Sequence, residues 1–145
     1  MRGDDLAAVH AMEARCYPEP WPLGFFQRQL ERVEDTLCLV AEAEGALVGY
    51  LIAERYIDVW HLMNLCVDTP WRRRRVASSL LEAYFGAAAW WPHRGHILEV
   101  RVSNDGARAL YRKVGFVGVG IRPHYYTGDG EDAVSMWRDR TRATS

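Results

Sequence analysis

Four stretches of the chain repeat apolar residues at helical spacing, and the stretches between them run at strand spacing. Leu6, Val9 and Cys16 supply part of a first apolar face, with Asp4 or Asp5 placed to cap it. Pro18, Pro20 and Pro22 break that helix and stiffen a loop around Trp21. A second short helix is predicted over residues 23–32, with Phe26 and Leu30 four apart. Strands are predicted over 36–43 and 46–55, joined at Glu44-Gly45 as a hairpin, and over 59–67. Val76, Leu80, Tyr84 and Ala88 mark a helix over 76–90 that Pro92 and Gly95 end. Residues 96–102 alternate, with Leu98, Val100 and Val102 on one face and Ile97, Glu99 and Arg101 on the other. Asn104 caps a fourth helix, with Ala107, Leu110, Tyr111 and Val114 as its apolar face and Gly115 as its stop. Residues 116–122 and 133–137 form a last strand pair, and a frayed tail is predicted from about Arg138. The order is of the type ααββββαβαββ, with the strand count open. It predicts an α/β (α+β) fold in which helices flank a mixed, mostly antiparallel sheet.

The 145 residues hold no repeat or linker, which predicts one domain over 1–138 and a C-terminal tail over 139–145. Composition is that of an ordinary globular chain, 49% hydrophobic and 26% charged. The net charge of −1 gives no reason to expect direct nucleic-acid binding. No apolar run approaches the roughly 20 residues of a membrane span. Met1 to Asp5 is polar, so no signal peptide is expected, and the predicted compartment is the cytoplasm. Cys16, Cys38 and Cys66 are odd in number and each sits in an apolar stretch, which predicts buried free thiols in a reducing compartment. His61, His93, His96 and His124 have no metal-ligand spacing, and no metal is expected; His93 and His96 straddle Gly95 and read as loop.

Charge is informative only where it clusters. Four arginines, Arg72 to Arg75, lie between the predicted strand ending Leu65-Cys66-Val67 and the helix beginning Val76-Ala77-Ser78. A helix start offers unpaired N–H groups and a positive dipole end, which suit a pyrophosphate. Arg73, Arg74 and Arg75 can add charge-assisted hydrogen bonds, and Ala77 and Ser78 let phosphate approach the backbone. The plainer reading is a solvated basic loop at a helix end.

The stretch from Val67-Asp68 through Arg72 to Val76-Ala77 resembles the acetyl-CoA motif of the GNAT superfamily, with Arg75 in its first glycine slot. An arginine there is expected to take a helical or extended φ. The segments Leu98-Glu99-Val100-Arg101-Val102-Ser103-Asn104 and Ala109-Leu110-Tyr111 to Gly115-Phe116 resemble the RimI-type members. So do Arg122-Pro123-His124-Tyr125-Tyr126 and Glu131-Asp132-Ala133. The resemblance covers roughly residues 4–138 and implies a GNAT acyl-CoA N-acyltransferase fold. It implies acetyl-CoA as cosubstrate, held at Leu65, Cys66, Val67, Arg73 to Ser78 and Asn104, with Glu99 as general base and Tyr111 as general acid. The acceptor it implies is a protein N-terminal amine, namely the N-terminal alanine of a ribosomal protein, the eighteenth of the small subunit.

The chemistry is consistent with those residue types. An α-amino group has a pKa of about 7.7–8.0 and must lose a proton before it can attack a thioester. A carboxylate can take that proton, N–H groups near Leu65–Val67 can hold the oxyanion, and a phenol can protonate the thiolate. Cys66 lacks a spaced His or acid to activate it as a nucleophile. Each residue also has a plainer reading: Glu99 as a solvated partner of Arg101, Tyr111 as core, Asn104 as a helix cap. Trp21 and Tyr125 are candidates to line an acceptor groove, with core packing as the alternative for Trp21. Glu13, Asp68 and Glu131 are candidates to attract a basic peptide. Lysine or small-molecule acetylation, and a catalytically weak CoA-binding module, stay open as alternatives. Members of the superfamily usually begin with a strand, for which Met1 to Gly3 leave no room; either the first strand is missing or the sequence as given starts after it.

Overall fold

The computed structural model describes residues 1–140, and the statements below concern those residues. The elements are α1 (Leu6–Cys16), α2 (Leu23–Glu31), β1 (Thr36–Ala43), β2 (Ala46–Tyr56), β3 (Val59–Val67), α3 (Val76–Ala88), β4 (Gly95–Arg101), α4 (Asp105–Lys113), β5 (Val117–Arg122) and β6 (Ala133–Asp139). Short 3-10 turns occupy Gly3–Asp5 and Thr69–Trp71. Three strands, not four, precede α3. The strand order is β1-β2-β3-β4-β6-β5. β1/β2, β4/β6 and β5/β6 pair antiparallel, while β3/β4 pair parallel at Val59↔Gly95, Trp60↔His96 and His61↔Ile97. A parallel pair needs a crossover, and α3 lies on it. The described residues divide into two compact parts, Met1–Arg55 with Leu62–Trp91, and Tyr56–His61 with the residues from Pro92 onward.

In the first part, β1 and β2 form the expected hairpin, with Glu44 and Gly45 both at positive φ as a two-residue turn requires. Val9, Met12, Phe26, Tyr50, Ile52 and Cys66 pack as one buried cluster. A Cβ at Gly49 would come within 2.9 Å of the Cys66 carbonyl and 3.1 Å of the Val76 side chain, so β2 needs its glycine where the start of α3 crosses it. Asp5 does not cap α1 with its side chain; its carboxylate accepts the Arg2 N–H (2.7 Å) and closes the preceding turn. The Met1 amino group donates to the Cys38 carbonyl (2.9 Å), and among the described residues no strand precedes α1. Cys16 and Cys66 form a disulfide between the end of α1 and the end of β3, leaving Cys38 as a free thiol. This corrects the expectation of three free thiols and removes the thiol argument for a reducing compartment.

In the second part, Leu98, Val100, Phe116, Val134 and Met136 supply the apolar core. His96 stands in β4, not in a loop, and with His93 it is buried, the two rings 4.8 Å apart. Burial, then His93 and Arg138, lower the His96 pKa to about 3, so it is neutral at ordinary pH. The strand β6 continues through Asp139, and Arg138 is buried with its Nε donating to the Val114 carbonyl (2.8 Å). That corrects the frayed tail expected from Arg138; residues 141–145 of the expected tail lie outside the described residues. No helix among the described residues is long and apolar enough to cross a membrane.

Candidate active site

The candidate residues fall into two clusters, one in each part. In the first, β3 ends at Val67 and the chain turns through Asp68, whose carboxylate accepts the Thr69 N–H (3.2 Å). Arg72 Nε donates to the Val67 carbonyl (3.2 Å), and Tyr17 donates its hydroxyl to the Leu65 carbonyl (2.7 Å). The strand end bearing Leu65, Cys66 and Val67 is thus held by two side chains and a disulfide. Arg74 stacks on Trp71, with its guanidinium carbon 5.0 Å from the ring centre. Arg73 and Arg75 form no side-chain hydrogen bond or ion pair among the described residues.

Arg75 precedes α3 in the left-handed region, at φ +65 and ψ +15, which corrects the helical or extended φ expected of it. The physical reason is that the turn into α3 needs a left-handed residue whichever side chain occupies it. Arg73 is also at positive φ, +62. Arg75 makes no side-chain cap, and no acidic residue stands in the first turn of α3. The first-turn N–H groups of Val76, Ala77 and Ser78 therefore lack an intrahelical partner by geometry. Uncapped donors, a dipole end and two unpaired guanidinium groups fit the diphosphate of a CoA thioester.

Trp21 stacks on Phe25 and Phe26, ring centres 4.2 and 5.5 Å away. The Trp21 backbone N–H donates to Glu13 Oε2 (2.9 Å). Glu13 Oε1 accepts from the Tyr50 hydroxyl and from Asn64 Nδ2 (2.7 Å). Glu13 is only 1% exposed, so it anchors the proline-rich loop and does not attract a peptide, as the sequence had suggested. Asp68 and Glu131 are likewise engaged, by Arg15 (3.2 Å) and by Arg101 (3.0 Å).

In the second cluster, Glu99 projects from β4 with its side chain only 6% exposed. Its Oε1 meets His61 Nε2 (3.2 Å), the Tyr125 hydroxyl (3.5 Å) and Arg122 Nη1 (3.6 Å). Its Oε2 is buried without a partner. Burial works to raise the Glu99 pKa, but His61, Arg122 and Tyr125 outweigh it and hold the carboxyl below its ordinary range. Arg101 is not its partner, because that guanidinium binds Asp129 and Glu131 and covers the Tyr126 ring. The solvated Glu99–Arg101 pair is thereby corrected.

Tyr111 stands on α4, its ring 5.8 Å from that of Phe116. Burial, then Tyr126, push its phenol well above the usual value, so it carries its proton at neutral pH. Among the described residues its hydroxyl makes no hydrogen bond. Asn104 caps α4, its Oδ1 accepting the Ala107 N–H (3.1 Å), which leaves its amide nitrogen as a donor. Sequence reasoning missed His61, the role of Arg122 and the burial of Glu13. The parallel β3/β4 register, which sets His61 opposite Ile97, was the signal for His61, and it is not local.

The profile of the Acetyltransferase (GNAT) family matches residues 6–116. The putative [ribosomal protein bS18]-alanine N-acetyltransferase of Bacillus subtilis is 34% identical over 137 residues, which are 94% of this chain and 91% of that protein. The [ribosomal protein bS18]-alanine N-acetyltransferase of Escherichia coli K12 is 35% identical over 91% of this chain and 89% of its own length. The crystal structure of the ribosomal-protein-S18-alanine N-acetyltransferase from Escherichia coli superposes with a TM-score of 0.87 at 31% identity, covering 99% of this chain and 92% of that one. The chain belongs to the Acetyltransferase (GNAT) family, in its RimI-type group.

Proposed function

We propose that this protein transfers the acetyl group of acetyl-CoA to the α-amino group of a protein N-terminus, with the N-terminal alanine of ribosomal protein bS18 as the acceptor. The acceptor follows from the relatives' names, and the reaction would take place in the cytoplasm. The observation that carries the chemistry is the cluster on Glu99: a nearly buried carboxylate kept ionised beside His61, in the same part as Tyr111, a phenol kept protonated. Such a separation of proton affinities is how one site does base and acid work at one pH.

In this reading the α3 N-terminus, with Arg73 and Arg75, binds the diphosphate, and Arg74 braces the turn through Trp71. Asn104 adds a donor from its amide nitrogen. The Glu99 cluster removes a proton from the α-ammonium, and the freed nitrogen attacks the thioester carbonyl. N–H groups near Leu65–Val67 stabilise the oxyanion. The carbon–sulfur bond breaks, and Tyr111 gives a proton to the departing thiolate. Trp21 and Tyr125 flank the acceptor chain.

The test is mass spectrometry of acetyl transfer to three acceptors: a peptide with a free α-amine, the same peptide α-blocked but bearing lysine, and a small polyamine. Acetylation confined to the free α-amine is the expected result. Transfer to lysine or polyamine alone overturns the acceptor class, and CoA binding without transfer overturns catalysis.

A further inference from the structure

The Glu99 carboxylate is poorly arranged to accept a proton by itself. All three of its neighbours, His61, Tyr125 and Arg122, address Oε1, while Oε2 is enclosed without a partner. A proton placed on Oε1 would displace these donors, and Oε2 is sealed from an incoming amine. His61 is differently placed. Its side chain is 34% exposed, its Nε2 lies 3.2 Å from Glu99 Oε1, and its Nδ1 has no partner among the described residues. A carboxylate on Nε2 fixes the tautomer with the proton there, which leaves the lone pair on Nδ1. A carboxylate that orients an imidazole while the other ring nitrogen takes the proton is a known working arrangement.

Resting on the acetyl-transfer reading above, we propose that the base of this protein is His61, with Glu99 as its positioning carboxylate. His61 Nδ1 takes one proton from the acceptor α-ammonium: an N–H bond breaks, its electron pair stays on the amine nitrogen, and an imidazolium forms against the Glu99 carboxylate. The nitrogen sheds two protons in forming the amide. One leaves to water from His61, and the other replaces, through solvent, the proton that Tyr111 gives to the CoA sulfur. Arg122 from β5, with Tyr125 and Tyr126 from the loop after it, are the other charged and titratable groups facing the pair. Arg122 and Tyr125 contact Glu99 Oε1, keep the carboxylate ionised and hold it in place.

The experiment measures acetylation of an N-terminal peptide by wild type, H61A, H61Q and E99Q, each checked for an unchanged thermal midpoint and CoA affinity. H61A and H61Q are expected to lose about 100-fold or more in kcat. Added imidazole should restore H61A in proportion to its concentration and leave H61Q unchanged, because the glutamine fills the space. E99Q should lower kcat with the peptide KM within about twofold, since its role is to orient His61. In ¹⁵N spectra it should also lose the single Nε2–H tautomer of His61. Wild-type turnover with both His61 variants unimpaired, or an H61A loss that imidazole does not relieve, overturns the inference alone. A wild type that acetylates no α-amine overturns the reading beneath it as well.

Discussion

Arg75 allows backbone strain and ligand charge to be separated at one position. It sits at φ +65, ψ +15 immediately before α3, where an L-residue other than glycine bears about 1–2 kcal/mol relative to its preferred conformation. Glycine removes that term but loses more backbone entropy on folding, about 0.5–1 kcal/mol. The net expectation for Arg75→Gly is stabilisation by about 0.5–1 kcal/mol. Arg75→Ala keeps the strain and discards the guanidinium, so the two variants should differ by about 1 kcal/mol. For a chain near this length that corresponds to roughly 2–4 °C in thermal midpoint. Neither variant loses an internal side-chain contact, because Arg75 has none among the described residues, so packing does not confuse the comparison. Calorimetry with CoA reads the other half. Arg75→Ala should weaken binding several-fold, and more at low salt than at high salt, since the lost interaction is an exposed charge pair. Equal thermal midpoints for Arg75→Gly and Arg75→Ala would refute the strain argument, and unchanged CoA affinity in both would remove Arg75 from the diphosphate site.

Three further outcomes follow from buried groups. His96 binds its proton at about pH 3 in the folded state and near 6.5 when unfolded. Stability is therefore full above about pH 6.5 and falls by about 1.4 kcal/mol per pH unit below it, where the unfolded chain binds the extra proton. Urea midpoints at pH 7.5 and 5 should differ accordingly, and His96→Phe should flatten the difference; an unchanged slope would refute it. Glu13→Gln puts an amide donor against either the Trp21 N–H or the Tyr50 and Asn64 donors, and should cost about 1–3 kcal/mol in urea unfolding with a shift in tryptophan emission. Gly95→Ala places a methyl 2.5 Å from the Trp137 ring and 2.6 Å from the Arg138 carbonyl, and should cost about 2 kcal/mol or more in thermal unfolding; a neutral result would mean β4 and β6 can part without loss.

Local signals explain why much of the fold was readable. The Glu44-Gly45 turn sets the β1/β2 pairs beside it, as far as the irregularity between Ala41 and Glu42 that shifts the rest of the register, and β3 begins and ends where its apolar run does. Asn104 caps α4 because a short side-chain acceptor before a helix finds an N–H three residues on. The errors came where a distant partner decides. Asp5 resembles a cap, but Arg2 N–H competes for its carboxylate. Arg138 follows the last apolar residue and looks like a tail, yet it is buried with its Nε on the Val114 carbonyl, 24 residues back in the chain. Cys16 and Cys66 are 50 residues apart, and nothing near either one announces the other.

The candidate site divides along the same line. The arginine run and the helix start of α3 are contiguous, so the role proposed for them together is visible in order alone. The fault there was one of conformation: an arginine in a glycine slot was expected to bend the backbone to its own preference, and the turn imposed the left-handed state instead. Glu99 could be named from its motif, but its neighbours come from three other segments: β3, β5 and the loop after β5. A carboxylate's proton affinity is set by what surrounds it. The residue type therefore pointed to a base, whereas the three donors crowding one oxygen argue that the proton goes elsewhere. Because β3 and β4 run parallel with His61 opposite Ile97, the alternation of a strand puts His61 and Glu99 on one face. The sequence holds both periodicities, and only their register joins them.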